Sequence, residues 1–347
     1  MRSVCSFVTC ILFLAIFADA TAQREPTDPG VVQAFSQLKA SSGRSKSTQD
    51  TISNFVDEAR KTYRVRLDAE SRLVDVIESQ GVSRASKVFA GNQLYKLCDE
   101  DTIPAFERML GQSDTFDIAC RGLARIRHPR AQKTLLEAVS TSRGDKLICV
   151  VEALGDRRDK SAVPVLRQIA DEADVPTTKA ALTALSKIPG REAVEALDWC
   201  RSNLTRPMRP FATDAYVDAA FTSLKYNDRE TAIDAFEALM IDFEPADIKA
   251  RGLRGLIQAY GEDAVPTIVE ALTSGIPELE AVAAEDAKLV PGRKATEAFI
   301  KAYAGLQPDN QAVLLHALGV RRDEAALDTL VLAAQSRIPV VRLAAIE

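Results

Sequence analysis

The chain has 347 residues, of which 46% are apolar and 6% aromatic, and its formal net charge is −5. This composition permits a substantial core, and the acidic balance argues against a nucleic-acid-binding protein, which usually has a basic surface. The charge is unevenly distributed, because residues 117–203 hold slightly more bases than acids whereas residues 213–306 are acidic. A partner would therefore meet different potentials along the chain.

The N-terminus has the pattern of a secretory signal peptide. Arg2 is followed by an apolar run over residues 4–17, and Ala18, Ala20 and Ala22 supply small residues before a cleavage point. Because the run is short for a membrane span, we predict a signal peptide over residues 1–22. The protein would then be exported, periplasmic or secreted, without a stable membrane span after cleavage. An uncleaved anchor is the alternative.

Residues 23–82 are predicted to form a helical N-terminal cap. A short helix is expected over residues 31–40, and the serine-rich residues 41–49 indicate a flexible break. Apolar residues then recur at helical spacing from Ile52 to Ile77, and this predicts one long helix that ends before Gly81. Its alternating charges are typical of a solvated face and would also cover the open end of a repeat array.

From residue 83 onward the sequence repeats at an interval of 31. Three rows of residues come into register, namely Leu123, Leu154 and Leu185; Ala131, Ala162 and Ala193; and Leu135, Leu166 and Leu197. The same interval relates Ala264, Ala295 and Ala326, and also Ile268, Phe299 and Leu330. Self-similarity at such a period is the signature of stacked repeats. We therefore predict an all-α fold, an α-solenoid of stacked antiparallel helix pairs over residues 83–347.

Each repeat is predicted to hold two amphipathic helices joined by a tight turn. In the repeat over residues 144–174, we expect the first helix to end at Gly155, with that glycine in the left-handed conformation. Asp159 would then cap the second helix, and Pro164 would lie in its first turn, where a missing amide costs little. One such pair cannot bury both of its apolar stripes, whereas stacked neighbours can.

Two segments resemble HEAT repeats and are most similar to the short HEAT-like repeats of the phycobilisome-lyase type. Their sequences are EALGDRRDKSAVPVL, residues 152–166, and HALGVRRDEAALDTL, residues 316–330; IPVVRLAAIE, residues 338–347, resembles the first helix of the same motif. The resemblance covers roughly residues 85–347 and implies the fold. It does not settle the function, because such repeats serve scaffolds, adaptors, inhibitors and chromophore lyases.

One interval departs from the period, since Ala193 and Ala232 are 39 residues apart. The extra residues are expected near residues 202–213, where Arg206, Arg209 and Phe211 cluster. Insertions in repeat arrays often emerge on the binding face. A joint that resets the stack is an equal alternative.

Glu137, Gln168 and Trp199 share one register position on the second helix of their repeats. The two polar occupants predict that this position faces solvent, so the chain's only tryptophan would be exposed. The second helices of HEAT-type arrays commonly line the concave surface. We therefore predict a partner-binding patch, with packing of the tryptophan under the insertion as the alternative. Its residues would be Trp199, Arg201, Arg206, Arg209 and Phe211, together with Gln168 and Glu137.

No common catalytic arrangement is present in the sequence, such as a glycine-rich phosphate loop, GxSxG, HExxH or CxxCH. His128 and His316 occupy positions where another repeat has Asp159 and Glu152, so we expect structural roles for them. Four cysteines follow the predicted signal peptide, and they have no CxxC spacing; they are Cys98, Cys120, Cys149 and Cys200. We expect them to be buried thiols, with a disulfide as the alternative in an exported chain. We predict no catalytic residue, no cofactor and no metal site.

The last repeat is incomplete, because the register places its next anchor leucine two residues beyond Glu347. We therefore expect the chain to continue in a longer protein, with a second chain that covers the open end as the alternative. The predicted function is an exported, non-catalytic scaffold or adaptor that binds a protein or peptide on the concave face. An accessory repeat region of a larger exported enzyme and a lyase-type HEAT-like protein are the alternatives.

Overall fold

The computed structural model describes residues 28–40, 45–241 and 244–347. The predicted signal peptide lies outside these ranges. The described residues form α-helices joined by turns and short 3-10 helices, with no β-strand among them, and the all-α prediction is confirmed. In this part of the chain no helix has the length and apolarity needed to cross a membrane.

The chain divides into two compact units, Met1–Arg157 and Arg158–Glu347. The described part of the first unit contains eight α-helices: α1 Pro29–Ala40, α2 Lys46–Ala59, α3 Tyr63–Glu78, α4 Arg84–Leu94, α5 Ile103–Leu110, α6 Phe116–Arg125, α7 Pro129–Thr141 and α8 Asp145–Arg157. A 3-10 helix, Glu100–Thr102, precedes α5. Helices α1 to α3 pack together, and α3 also packs against α4, where the predicted array begins.

The second unit contains twelve α-helices in its described part: α9 Val163–Glu172, α10 Val175–Ser186, α11 Arg191–Asn203, α12 Arg209–Lys225, α13 Arg229–Ala238, α14 Ala246–Tyr260, α15 Val265–Leu272, α16 Pro277–Asp286, α17 Arg293–Tyr303, α18 Pro308–Arg321, α19 Leu327–Ala333 and α20 Pro339–Ile346. Four short 3-10 helices in the described part of this unit lie between a first helix and the second helix that follows it. They are Lys160–Ala162, Gly261–Ala264, Ala287–Leu289 and Glu324–Ala326.

From α4 onward the even-numbered helices are the first helices of the predicted pairs and the odd-numbered helices are the second. Within the second unit each kind forms its own layer. First helices contact first helices, as α10 does with α12 and α14 with α16, and second helices contact second helices, as α9 does with α11 and α15 with α17. This alternation is the architecture expected of stacked helix pairs.

The residues that define the 31-residue register lie in the core. Leu123, Leu154 and Leu185 are fully buried, and the leucine row that begins at Leu135 and the alanine row that begins at Ala131 are buried as well. Burying one leucine contributes roughly 2 kcal/mol relative to leaving it exposed. A helix pair whose leucines are covered by its neighbours is therefore stable in the stack and not alone.

Glycines allow two neighbouring helices to approach closely at equivalent places in the two units. A Cβ atom on Gly122 of α6 would lie 2.2 Å from Cζ of Phe106, and one on Gly255 of α14 would lie 2.3 Å from Cε1 of Phe236. Both phenylalanines are fully buried. A side chain at either glycine would therefore displace a core ring.

The N-terminal segment differs from the expected single long helix. Helix α2 ends at Ala59 and α3 begins at Tyr63, and between them Thr62 has extended backbone with φ −135° and ψ 119°. The periodicity runs through this break because each helix buries an apolar face of its own, with Ile52 in α2 and Leu73 in α3 fully buried. The expected serine-rich break over residues 41–49 is also too long, since α2 already begins at Lys46 and residues 41–44 lie outside the described ranges.

The expected end of the first helix at Gly155 is wrong. Helix α8 continues to Arg157, and Arg158 takes the left-handed conformation with φ 58°; in the same way α18 continues to Arg321, and Arg322 has φ 53°. The additional turn carries Arg157 into the core, where its guanidinium donates to the backbone oxygens of Leu123, at 2.7 Å, and Ile126.

The turn before the second helix follows the prediction in part. Pro164 lies in the first turn of α9, as expected, but the side chain of Asp159 makes no capping hydrogen bond. At the equivalent positions Asp99 and Asp323 do accept backbone N–H groups, each at 3.0 Å. The aspartate at this position thus caps the following helix in some repeats but not in the repeat over residues 144–174.

The insertion near residues 202–213 is not a projecting loop. Helix α11 ends at Asn203 and α12 begins at Arg209, so five residues connect them. Helix α12 has 17 residues, whereas α10 has 12, and the extra residues therefore mainly lengthen a helix.

Candidate protein-binding surface

Trp199 lies on α11, in the layer of second helices of the second unit. Its indole is half-buried, and the guanidinium carbon of Arg167, on α9, lies 4.7 Å from the ring centroid. Gln168, next to Arg167, is exposed and donates to the carboxylate of Glu172 at 3.2 Å. Trp199 is thus an aromatic ring covered on one face by a flexible cation, a contact worth about 0.5–1 kcal/mol when exposed.

Glu137, the third residue of this register position, lies on α7 of the first unit. It is exposed and is 3.7 Å from the ammonium of Lys133. The two polar occupants of the position, Glu137 and Gln168, therefore face solvent, whereas Trp199 is partly covered. Sequence reasoning missed Arg167, because a single arginine beside Gln168 carries no signal in the register.

Arg201 does not belong to an accessible patch. Its side chain is 11% exposed, and it pairs with Asp198 at 3.2 Å and with Glu244. The guanidinium carbon lies 4.6 Å from the ring centroid of Tyr216, and burial raises the pKa of this phenol to about 12. Arg201 therefore joins α11 to α12 and is committed to internal partners.

The other predicted patch residues lie in or after the connection between α11 and α12. Arg206 is exposed, and Nε of Arg209 donates to the backbone oxygen of Leu204 at 3.1 Å. Phe211 is 43% exposed, and Nζ of Lys179, on α10, lies 3.7 Å from its ring centroid. Because α10 and α12 are first helices, Phe211 and Trp199 belong to different layers. The structure does not bring the predicted residues together as one patch.

The second helices around Trp199 are acidic. The exposed carboxylates on α9, α11 and α13 are Asp171, Glu172, Glu192, Glu195, Asp198, Glu230, Asp234 and Glu237, against the exposed arginines Arg167, Arg191 and Arg229. Arg191 is 2.8 Å from Asp234 and 3.5 Å from Glu230. The surface next to Trp199 therefore has an excess of negative charge and attracts basic groups.

The histidines and cysteines lie in structural settings. The backbone N–H of Arg130 donates to Nδ1 of His128 at 3.2 Å, so His128 caps α7. His316 is exposed on α18. The four cysteines of the described ranges are free thiols, and Cys120 and Cys200 are buried as expected, whereas Cys98 and Cys149 are only half-buried. Burial raises the pKa of Cys98 and of Cys200 to about 11. Among the residues that the structure describes, no group of three or more His, Cys, Asp or Glu side chains is placed to hold a metal ion.

The recurring Arg-Arg-Asp turn does not offer its first arginine to a ligand. Arg157 is buried against backbone oxygens, and Arg321 donates to the backbone oxygens of Ala287, at 2.9 Å, and Gly292, at 2.8 Å. In each case the guanidinium meets the end of an earlier first helix, where carbonyl groups lack intrahelical partners. These arginines fasten successive repeats to each other.

The match to a known family supports the repeat architecture in part of the chain. The family described as HEAT repeats matches residues 114–186. No curated protein matches the chain. Among solved structures, human deoxyhypusine hydroxylase in complex with glycerol is similar at 17% sequence identity, over 91% of this chain and 96% of that chain, with a TM-score of 0.29. The chain is therefore an α-helical repeat protein whose residues 114–186 match HEAT repeats.

Proposed function

We propose that this protein is a non-catalytic scaffold that binds a protein or peptide along the second helices of its second unit. The observation that supports this most is Trp199, a large ring that stays partly exposed beside one arginine. Tryptophan and arginine are enriched among the residues that dominate interfaces, and the loss of such an anchor costs about 2 kcal/mol or more. Displacing Arg167 from the ring costs about 0.5–1 kcal/mol. Because this cost is smaller than the contribution of an interface anchor, replacing the arginine by a partner side chain is favourable.

The charges around Trp199 suggest the chemistry of the partner. A segment that places an apolar or aromatic side chain against the indole would have its flanks near the carboxylates of α9, α11 and α13. Basic flanking residues would complement those carboxylates, and Arg167 would be free to turn toward an acidic group of the partner. We therefore propose a partner segment with an apolar anchor between basic residues.

Two finer points belong to the same proposal. Export is supported by the signal-peptide pattern over residues 1–22. The relation to the short, phycobilisome-lyase type of repeat is supported by the motifs at residues 152–166 and 316–330. We propose that the protein acts outside the cytoplasm as a binding module and that it has no lyase activity, which a chromophore-transfer assay on the purified protein would test.

Trp199→Ala is expected to weaken binding of a partner peptide by roughly tenfold or more, which corresponds to about 1.4 kcal/mol. Peptides would be selected from a random displayed library on the purified chain, labelled with a fluorophore and titrated by anisotropy. Phe211→Ala is the matched control, since it removes another aromatic ring under a cation, on the first-helix layer. The affinity of the Phe211→Ala variant for the peptide should stay within about twofold of the affinity of the unsubstituted chain.

The proposal is wrong if Trp199→Ala and Phe211→Ala have the same effect on affinity while both variants keep their helical circular dichroism. It is equally wrong if no selected peptide loses affinity in the Trp199→Ala variant. Preference for basic flanking residues among the selected peptides would support the proposed partner chemistry, and preference for acidic flanks would contradict it.

A further inference from the structure

A groove lies open between two other second helices of the second unit, α15 and α17. It encloses about 360 Å³ and is lined by Val269 of α15, by Thr273 directly after that helix, and by Lys294, Glu297, Ala298, Lys301 and Ala302 of α17. This volume is near the lower end of the range found for binding cavities. The lining residues of α17 are spaced along one face of that helix, so the groove follows the helix axis.

The groove is positively charged within an acidic part of the sequence. Lys294 and Lys301 are exposed, and in the described part of the chain neither ammonium has an ion pair or a hydrogen bond. Glu297, between them, is held by Arg293, whose Nε lies 3.0 Å from Oε1. One carboxylate is thus already neutralised, while two lysines remain available to a ligand.

The spacing of the lysines selects a particular kind of ligand. Lys294 and Lys301 are seven residues apart, so they lie on one face of α17 about 10 Å apart along its axis. Ala298 and Val269 leave an apolar floor between them. Two carboxylates two helical turns apart on a second peptide helix have the same spacing, and a small apolar side chain between them would reach the floor.

We propose that the groove between α15 and α17 binds an acidic amphipathic helix of a partner protein. Two carboxylates of that helix, seven residues apart, pair with Lys294 and Lys301, and a small apolar residue between them contacts Ala298 and Val269. This goes beyond the binding proposed at Trp199, because it concerns another surface and the opposite charge. Trp199→Ala should leave binding at the groove unchanged, so the two proposals can fail separately.

The test uses a fluorescein-labelled, alanine-rich helical peptide with two glutamates seven residues apart, titrated into the full chain at low ionic strength. We expect saturable binding that weakens as salt is added, because exposed ion pairs are screened. The double variant Lys294→Gln/Lys301→Gln should lose roughly tenfold in affinity, which is about 1.4 kcal/mol. Replacing both glutamates of the peptide by glutamine should have a similar effect.

The control variant is Lys225→Gln/Lys249→Gln, which removes the same charge elsewhere in the second unit and should bind the acidic peptide as the unsubstituted chain does. Equal losses in the two double variants would mean that net charge alone attracts the peptide and would overturn the proposal. The proposal would also be overturned if the peptide with both glutamates replaced by glutamine bound as tightly as the acidic peptide. Absence of binding between the acidic peptide and the unsubstituted chain would overturn it as well.

Discussion

Arg157→Ala is expected to lower the free energy of unfolding of the first unit by about 3–5 kcal/mol. Arg157 is 2% exposed and is among the largest fully buried side chains of the described residues. Its guanidinium donates to the backbone oxygens of Leu123 and Ile126, at the end of α6. Alanine would leave these buried carbonyl groups without their donor and would also leave a cavity, and both effects are destabilising.

Hydrogen exchange of the α6 amide groups measures this effect directly, because it reports on the first unit separately from the second. Arg158→Ala is the control, since Arg158 is exposed and belongs to the second unit. Its guanidinium donates to the hydroxyl of Tyr226, and the guanidinium carbon lies 5.2 Å from the centroid of that ring. Its effect should stay below about 1 kcal/mol. If the two alanine variants were equally stable, the fastening role of Arg157 would be refuted.

Glu70→Gln is expected to remove a pH dependence from the stability of the first unit. Glu70, on α3, is 6% exposed, and Thr102 donates to its Oε2 at 3.4 Å while Oε1 has no hydrogen-bond partner. Burial raises the pKa of this carboxyl from 4.5 to about 7, and the neighbouring Asp99 raises it further, against the opposing attraction of Arg66. Nε of Arg66 lies 3.5 Å from Oε1 of Glu70, but the same guanidinium also pairs with Asp99. Arg66 therefore only partly offsets the desolvation of Glu70.

The sign follows from proton binding. Between pH 4.5 and about 7 the folded chain keeps the Glu70 proton that the unfolded chain releases. Stability from this group is therefore highest at acid pH and falls as pH rises, by about 1.4 kcal/mol per unit and at most about 3 kcal/mol in total. Glutamine cannot release a proton, so the stability of the variant should increase relative to that of the unsubstituted chain as pH rises.

Urea denaturation of both chains at acid and at mildly alkaline pH tests this prediction. The stability difference between Glu70→Gln and the unsubstituted chain should change by about 2–3 kcal/mol across the window. Glu78→Gln, a partly exposed carboxylate on the same helix that pairs with Arg108, should not show such a change. A constant difference between Glu70→Gln and the unsubstituted chain would show that the buried carboxyl stays ionised throughout.

The sequence predicts the core well because periodicity and burial have the same cause. A leucine that recurs every 31 residues, such as Leu123, Leu154 and Leu185, does so because each repeat buries it in the same way, and all three are fully buried. Leu330, the last residue of the row that begins at Ile268, is half-buried, because neighbouring helices cover it less completely. The exposed apolar side chains of α19 and α20, including Leu332 and Leu343, lie in the same region.

The sequence predicts helix ends and surface groups less well, because these depend on partners that are distant in the chain. Arg157 extends α8 because carbonyl groups some 30 residues earlier need a donor. Arg201 turns inward because Glu244 and Tyr216 are placed to receive it. Neither contact is visible in the register. The lysines of the α15–α17 groove were likewise missed, although their spacing of seven residues places them on one face of a second helix.

The emission of Trp199 tests the central claim most directly, because it is the chain's only tryptophan and reports on the proposed surface without a label. Titration with a peptide selected on the chain should shift the emission and reduce quenching by acrylamide, with the same midpoint as the anisotropy of the labelled peptide. If the anisotropy saturated while the emission and its quenching stayed unchanged, the partner would bind elsewhere and the proposed function of this surface would be contradicted.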